Sequence, residues 1–254
     1  MNLADICKKL HLTTIADQAL TLCEQAERQQ TTYLEFLSEL LILEYEERLI
    51  KKANRRIKEA RFPRIKTFDS FSFNRAAHLP ESLLRSLAHG EYIKKFESII
   101  LLGEPGSGKT HLASALGYAA ASQGITVRFT TASELVNQLV EARDNRELTR
   151  ITQRYQNYQL LILDELGYLP LSKIDAELLF QVLSQRHEKS STIITTNLPF
   201  GEWTLIFQDH RLCKALLDRI TYRAHIIDTG ERSIRFEETM IKFNNKQEDK
   251  INTN

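Results

Sequence analysis

Three cysteines, Cys7, Cys23 and Cys213, stand far apart, with no C-x-x-C pair and no histidines at ligand spacing. That leaves neither a disulfide framework nor a zinc site, and idle or buried thiols suit a reducing compartment. Long apolar runs are missing as well. The longest, LLIL at 40–43 and SIILLG at 98–103, fall far short of the ~20 residues that span a bilayer. The opening MNLADICKKLHLTT contains an acid and has no apolar core of signal-peptide length. A cytoplasmic protein without a membrane partner is expected. There is no charge excess, since 34 basic side chains face 33 acidic ones for a net charge of +1. Any DNA contact must therefore come from a local basic patch, not a global field. Internal repeats and low-complexity segments are absent too. With 42% hydrophobic and 26% charged residues the chain can bury a core.

Glycine and proline are missing from residues 1–62, where apolar residues recur at helical spacing. Leu3, Ile6 and Leu10 form one group, Ile15, Ala19, Leu22, Cys23 and Ala26 a second, and Tyr33, Phe36, Leu37, Leu40 and Leu41 a third. A small helical domain over 1–66 is predicted, its last helix running into the basic stretch KKANRRIKEAR. Pro63 then disfavours further helix, and FPRIKTFDSFSF, 62–73, reads as a linker docking onto the next domain. A short helix over about 80–89 ends near Gly90.

Beyond it, ESIILLG (97–103), TVRFTT (126–131), QLLILDE (159–165), STIITTN (191–197) and RAHIIDT (223–229) read as five strands separated by helical stretches. Continuous apolar strands alternating with helices indicate an α/β domain, over 67–238, with a parallel five-stranded sheet covered on both faces. The polar tail 239–254 is expected to be disordered.

GEPGSGKT, 103–110, satisfies the phosphate-loop pattern G-x-x-x-x-G-K-[ST]. The strand SIILL before it and HLASALGYAAASQG after it supply the strand-to-helix context in which N–H groups and a helix dipole converge on phosphates. Gly103, Gly106 and Gly108 would let the backbone approach those phosphates. Lys109 would reach the terminal phosphates, and Thr110 would ligate Mg2+. Candidate nucleotide contacts are Gly103, Glu104, Pro105, Gly106, Ser107, Gly108, Lys109, Thr110 and His111.

The run QLLILDEL ends in Asp164 and Glu165. Asp164 fits the magnesium shell and Glu165 a general base that activates water. A kinase must exclude that water and bind an acceptor, so the Asp-Glu tandem favours ATP hydrolysis. The STIITTN strand ends in Thr196 and Asn197, and Asn197 is the candidate γ-phosphate sensor. Arg219 and Arg223, in LLDRITYR before the last strand, could stabilise transition-state charge, often at a neighbouring subunit's nucleotide; Arg219 is preferred.

Taken together, these motifs resemble the AAA+ ATPases of the initiator and helicase-loader branch. The wording GEPGSGKTHLA, LLILDELGYLP, STIITTNLPFGEW and LLDRITYRAHIIDTGERSIR is more specifically similar to the IstB-like helper ATPases of insertion-sequence transposition, over roughly residues 5–238. The resemblance implies a P-loop AAA+ fold with ATP and Mg2+ as cofactors. It implies a homo-oligomer with intersubunit ATP sites, largely sequence-independent binding to double-stranded DNA, and a transposase recruited through the helical N-terminus. A DnaC-like loader serving a replicative helicase is the alternative; a metabolite kinase and an ATP-gated scaffold without turnover are more distant. RSIRFEETMIKF and the tail are too short for a complete helical lid, so no second arginine sensor is assigned.

Two basic stretches compete for DNA. Arg143, Arg146, Arg150 and Arg154 recur at i+3 and i+4 spacing in a segment long enough for two helices, where the loader branch carries an inserted helix directed at DNA. Glu141, Asp144 and Glu147 interrupt that stripe, and a solvated face is the competing reading. Lys51, Lys52, Arg55, Arg56 and Lys58 form the second candidate, with partner binding or solvation as competitors.

Overall fold

Five strands, β1 (Ser98–Leu102), β2 (Val127–Thr131), β3 (Leu160–Leu166), β4 (Ser191–Thr196) and β5 (Ala224–Asp228), form one parallel sheet in the order β2-β3-β4-β1-β5. The computed structural model describes residues 2–168, 171–207, 209–231 and 233. The expected tail and the segment after Ser233 lie outside the described residues. The strands agree with the five apolar runs to within a residue at each end. Their central residues, such as Ile99–Leu101 and Leu160–Leu163, are fully buried because helices cover both faces.

On one face lies α6 (Lys109–Ser122), whose run of small side chains lets it sit low on Ile99, Leu101, Ile162 and Ile193. Phe71 and Phe73, Leu84 of α4 (Glu81–Leu87), and Tyr92 and Ile93 of α5 (Glu91–Lys94) complete that layer. The other face carries α7 (Ala132–Asp144), α8 (Leu148–Gln156), α9 (Lys173–Arg186), α10 (Thr204–Phe207) and α11 (His210–Thr221) around Trp203, Phe207 and Tyr155. Capping boxes at Thr131 with Glu134 and at Ser172 with Asp175 satisfy the first N–H groups of α7 and α9.

The chain divides into two compact units between Arg55 and Arg56. The N-terminal unit contains α1 (Leu3–Lys9) and α2 (Thr13–Gln29), and α3 (Tyr33–Ala60) begins in it. Its core is smaller than the periodicity suggests. Cys7, Ile15, Ala19 and Leu40 are buried, whereas Leu3, Ile6, Leu10, Cys23, Tyr33, Leu37 and Leu41 are exposed. Short helices bury few positions, and the apolar residues of α3 are spread over more than one face. A polar contact compensates at the start of α2, which has no side-chain cap of its own. The buried Glu44 carboxylate accepts the Thr14 and Ile15 N–H groups and pairs with Arg48 at 2.8 Å. Burial alone would raise its pKa, but Arg48 and these N–H donors hold it below the ordinary value. Its stabilising contribution is therefore present above pH ~4.3, the unfolded value, and is lost as pH falls through the lower folded value.

One buried charge secures the sheet where its strands begin. Arg186, 1% exposed, donates to the carbonyls of Tyr155, Tyr158 and Ser191 and to Thr192 Oγ1. Burial pushes its pKa down to about 9, which leaves it charged at neutral pH. Arg186→Met would strand those acceptors. A loss of roughly 2–4 kcal/mol in urea unfolding is expected; a loss within error of zero would show that the clamp is dispensable.

Candidate functional site

The crevice at the carboxyl ends of the strands gathers the sequence motifs. β4 lies between β3 and β1, so Asn197 falls between Asp164–Glu165 on one side and the 103–110 loop on the other. Pro105, Gly106, Lys109, Thr110, Glu165, Tyr168, Thr195, Thr196 and Asn197 line one cavity of about 80 Å³. A larger cleft of about 630 Å³ adjoins it, with Gly106, Gly108, Lys109, Thr110, His111 and Ser114 on one wall. The opposite wall is Pro63, Arg64, Lys66, Ser70, Phe71 and Ser72. The segment read as a linker is thus also a wall of the cleft.

Asp164 is 3% exposed, and each of its carboxylate oxygens lies 3.1 Å from Thr110 Oγ1. Thr195 Oγ1 donates to Asp164 at 2.5 Å and accepts the Glu165 N–H at 2.9 Å. Burial raises the Asp164 pKa, against the Thr195 and Thr110 hydrogen bonds and the Lys109 charge. A buried carboxylate whose charge is disfavoured, beside a hydroxyl, is a donor pair suited to a hard cation. Among the described residues no group of three or more His, Cys, Asp or Glu could hold a metal alone. Mg2+ bound here would take its remaining ligands from phosphate and water, as it commonly does.

Glu165 has side-chain surroundings unlike those of Asp164: it is exposed, with a left-handed backbone at φ +60°. The β3–β4 register shifts between Leu163 and Leu166, so the Asp-Glu pair sits in an irregularity of the ladder. Such bulges re-aim side chains, and non-glycine residues at positive φ concentrate at functional sites. This local distortion, not simple strand alternation, lets both acids border the crevice.

Lys109 Nζ donates to the carbonyls of Gly103 at 2.7 Å and Glu104 at 2.9 Å. Two of the glycines have a second physical reason. A Cβ on Gly103, at φ +144°, would lie 2.3 Å from Thr229 Oγ1 and 2.8 Å from Gly230 O; one on Gly106 would lie 2.2 Å from Ser233 Oγ. These two positions are glycine because the chain after β5 lies against the loop, as well as for any approach by phosphate. Ser107 Oγ is engaged by Thr229 Oγ1 at 2.6 Å, which leaves its backbone as the group available to a ligand. His111 lines the cleft, but its Nε2 faces Thr67 O at 3.0 Å and Ser70 Oγ at 3.2 Å, and its ring meets Phe71 edge-on. It joins the first turn of α6 to the opposite wall.

Arg219 and Arg223 are not brought to this crevice. Ser98 pairs with Ala224 and Leu102 with Asp228, so both arginines precede β5 at the opposite end of the sheet. Four residue steps of parallel strand put that end ~13 Å from the loop. There they line a cavity of about 160 Å³ with Lys95, Phe96, Arg186 and His187. Arg219 is half-buried over Phe180 at 5.1 Å; Arg223 is exposed, at φ +52°.

The arginine stripe is also corrected. Two helices do occupy the segment, but α7 ends at Asp144 and Arg146 has a left-handed backbone at φ +59°. Arg143 closes α7, Arg146 lies in the turn, and only Arg150 and Arg154 share a helix. The regular spacing crosses a helix break, so it does not make one continuous face. Arg143 pairs with Asp144, Arg150 with Glu147, and Arg154 donates to Gln138. In the other basic stretch Lys51 pairs with Glu47 and Arg56 with Glu59, while Lys52, Arg55 and Lys58 are exposed on α3.

Sequence reasoning missed Thr195, Arg64, Lys66 and Thr229. For Thr195 a signal existed, since period-two alternation places it on the same strand face as Asn197.

Comparison with known proteins gives this geometry a family. Residues 5–241 match the family described as IstB-like ATP binding protein. The ATP-binding protein of insertion sequence IS21 from Pseudomonas aeruginosa is 36% identical over 92% of this chain and 88% of its own. That of IS5376 from Geobacillus stearothermophilus is 36% identical over 96% and 97%. Among solved structures, the DnaC helicase loader matches with 26% identity and a TM-score of 0.52, covering 68% of this chain and 98% of that one. AMPPCP-bound DnaA from Aquifex aeolicus shares the fold at 18% identity and a TM-score of 0.57, over 72% of this chain and 55% of its own. No helix among the described residues is long and apolar enough to cross a membrane. With its phosphate loop, acidic β3 terminus and five-stranded AAA+ sheet, the chain belongs to the IstB-like ATP binding protein family.

Proposed function

We propose that the protein hydrolyses ATP, assembles as a homo-oligomer on double-stranded DNA, and assists a transposase in insertion-sequence transposition. The observation that carries the hydrolytic reading is the convergence of Lys109, Thr110, Glu165 and Asn197 on one cavity, with Asp164 bonded to Thr110 behind it. Glu165 takes a proton from the attacking water, and Asn197 orients that water or the γ-phosphate. Lys109 leaves its loop carbonyls to offset phosphate charge. Thr110 and Asp164 hold Mg2+, which when bound offsets phosphate charge and helps align the leaving group. The base and ribose occupy the cleft facing Pro63–Ser72. Arg219 of a second copy completes the site, because the chain's own Arg219 stands at the far end of the sheet.

Transposition is favoured over helicase loading by the relatives: 36% identity to insertion-sequence proteins over nearly the whole chain, against 26% to the helicase loader over 68% of it. The expected partner surface is the helical N-terminal unit, with DNA reached through the basic residues of α3 or of α7 and α8. Sedimentation of the full chain with duplex DNA tests this, with ATP and with a non-hydrolysable analogue. DNA-bound oligomers should form with both nucleotides and dissipate only with ATP, and Lys109→Ala should form none. Assembly indifferent to nucleotide would reject the proposal. Pull-down with an insertion-sequence transposase, against replicative helicase, separates the two partners.

A further inference from the structure

The candidate phosphate loop is braced by the two residues that follow β5, Thr229 and Gly230, to which the sequence motifs assign no role. Thr229 is 1% exposed, and both its N–H and its Oγ1 donate to Leu102 O at 2.7 Å. Ser107, inside the loop and 0% exposed, places Oγ 2.6 Å from Thr229 Oγ1. A hydroxyl has a single proton to give. Since that of Thr229 goes to Leu102 O, Ser107 is the donor, and the bonds run in one direction from Ser107 through Thr229 to the Leu102 carbonyl. Next in the chain, Gly230 O accepts the Glu104 N–H at 3.0 Å, and its own N–H donates to Asp228 at 2.8 Å. The end of β1 at residue 102 and the loop at residues 104 and 107 are thus tied to consecutive residues after β5.

We infer that Thr229 is a positioning residue for ATP binding: through Ser107 and Leu102 it holds the 103–110 loop in the shape that receives phosphate before nucleotide arrives. The inference rests on the reading of this loop as an ATP site. A phosphate loop binds through convergent N–H groups, and a loop already ordered loses less entropy when ligand enters. Both hydroxyls are buried, and their protons are satisfied by Thr229 Oγ1 and Leu102 O, so neither is needed for solubility or for a surface contact. Removing the acceptor at Thr229 leaves the Ser107 proton without a partner in a site closed to water, and the loop must shift to satisfy it.

The test is calorimetric titration of ATP into the full chain, with thermal unfolding recorded for each variant. Thr229→Val keeps the shape without the hydroxyl and should weaken ATP binding about tenfold, whereas Thr229→Ser should stay within about twofold of wild type. Ser107→Ala should resemble Thr229→Val, and the double variant should be no weaker than either alone, since both break the same link. Ser107→Ala leaves Thr229 bonded to Leu102 and carries the test if Thr229→Val does not fold. Wild-type affinity in Thr229→Val or Ser107→Ala, with Lys109→Ala unable to bind, would overturn the positioning role alone. So would losses that multiply in the double variant. If the wild-type protein itself binds no ATP, the ATP site and the positioning role fall together.

Discussion

Glu165→Gln is expected to bind ATP with near wild-type affinity and to hydrolyse it ~10²–10⁴-fold more slowly, the range that positioned general bases contribute. The substitution keeps size and removes the carboxylate that would take the proton from water. Glu165 is exposed and its side chain makes none of the bonds that hold Asp164 in place, so the fold should be unaffected. Phosphate release under saturating ATP measures the rate, and a filter or sedimentation assay should show the variant accumulating on DNA. Turnover equal to wild type would remove Glu165 as the base and favour a nucleotide-gated scaffold. Asp164→Asn should behave differently: the variant loses a carboxylate whose charge burial disfavours, so the nucleotide-free protein should not be destabilised while magnesium-dependent turnover falls.

Arg219→Ala should reduce turnover by about 10³-fold while leaving ATP binding nearly intact, the scale on which an arginine supplied to a transferring phosphoryl group acts. Its position makes the effect one between copies. Arg219 lies beyond the amino end of β5, and the phosphate loop follows the carboxyl end of the adjacent β1. A mixing experiment exploits this separation. Glu165→Gln binds ATP and assembles, with Arg219 but no base, and Arg219→Ala has the intact loop and base but no arginine. Mixed, the two inactive proteins should regain a fraction of wild-type turnover, because some interfaces pair an intact loop and base with an intact arginine. Arg223→Ala, tested alongside, should retain more activity, since its exposed side chain lies over Tyr222 without the half-buried seating of Arg219 on Phe180. A mixture as inactive as its components would place the stimulating arginine elsewhere.

Much of the α/β fold was legible because its signals are local and agree. Apolar strands of five to seven residues, a glycine-rich turn, and helical stretches between them specify a parallel sheet before any long-range contact is known. The order of the strands then places 164–165 and 197 around the loop. What was not legible depends on backbone irregularities or on distant chain. Glu165 borders the crevice through a register shift and a positive φ that alternation would not foresee. The arginines at 143, 146, 150 and 154 kept helical spacing on paper, but the left-handed backbone at Arg146 separates them onto different elements. FPRIKTFDSFSF announced docking through its aromatics, yet its place as a wall of the larger cleft required knowing what it docks beside. Thr229 lies 122 residues from its partner Ser107, and no spacing rule connects them. In the N-terminal unit the periodicity marked more core than three helices can enclose.

If ATP is hydrolysed at sites completed between copies assembled on DNA, turnover must follow assembly. The most direct measurement is phosphate release per subunit as protein concentration is raised, with and without duplex DNA. Negligible turnover is expected in dilute protein, with a steep rise as concentration increases, a shift of that rise to lower concentration when DNA is present, and none in Lys109→Ala. Turnover per subunit that is constant across concentration and unchanged by DNA would contradict it.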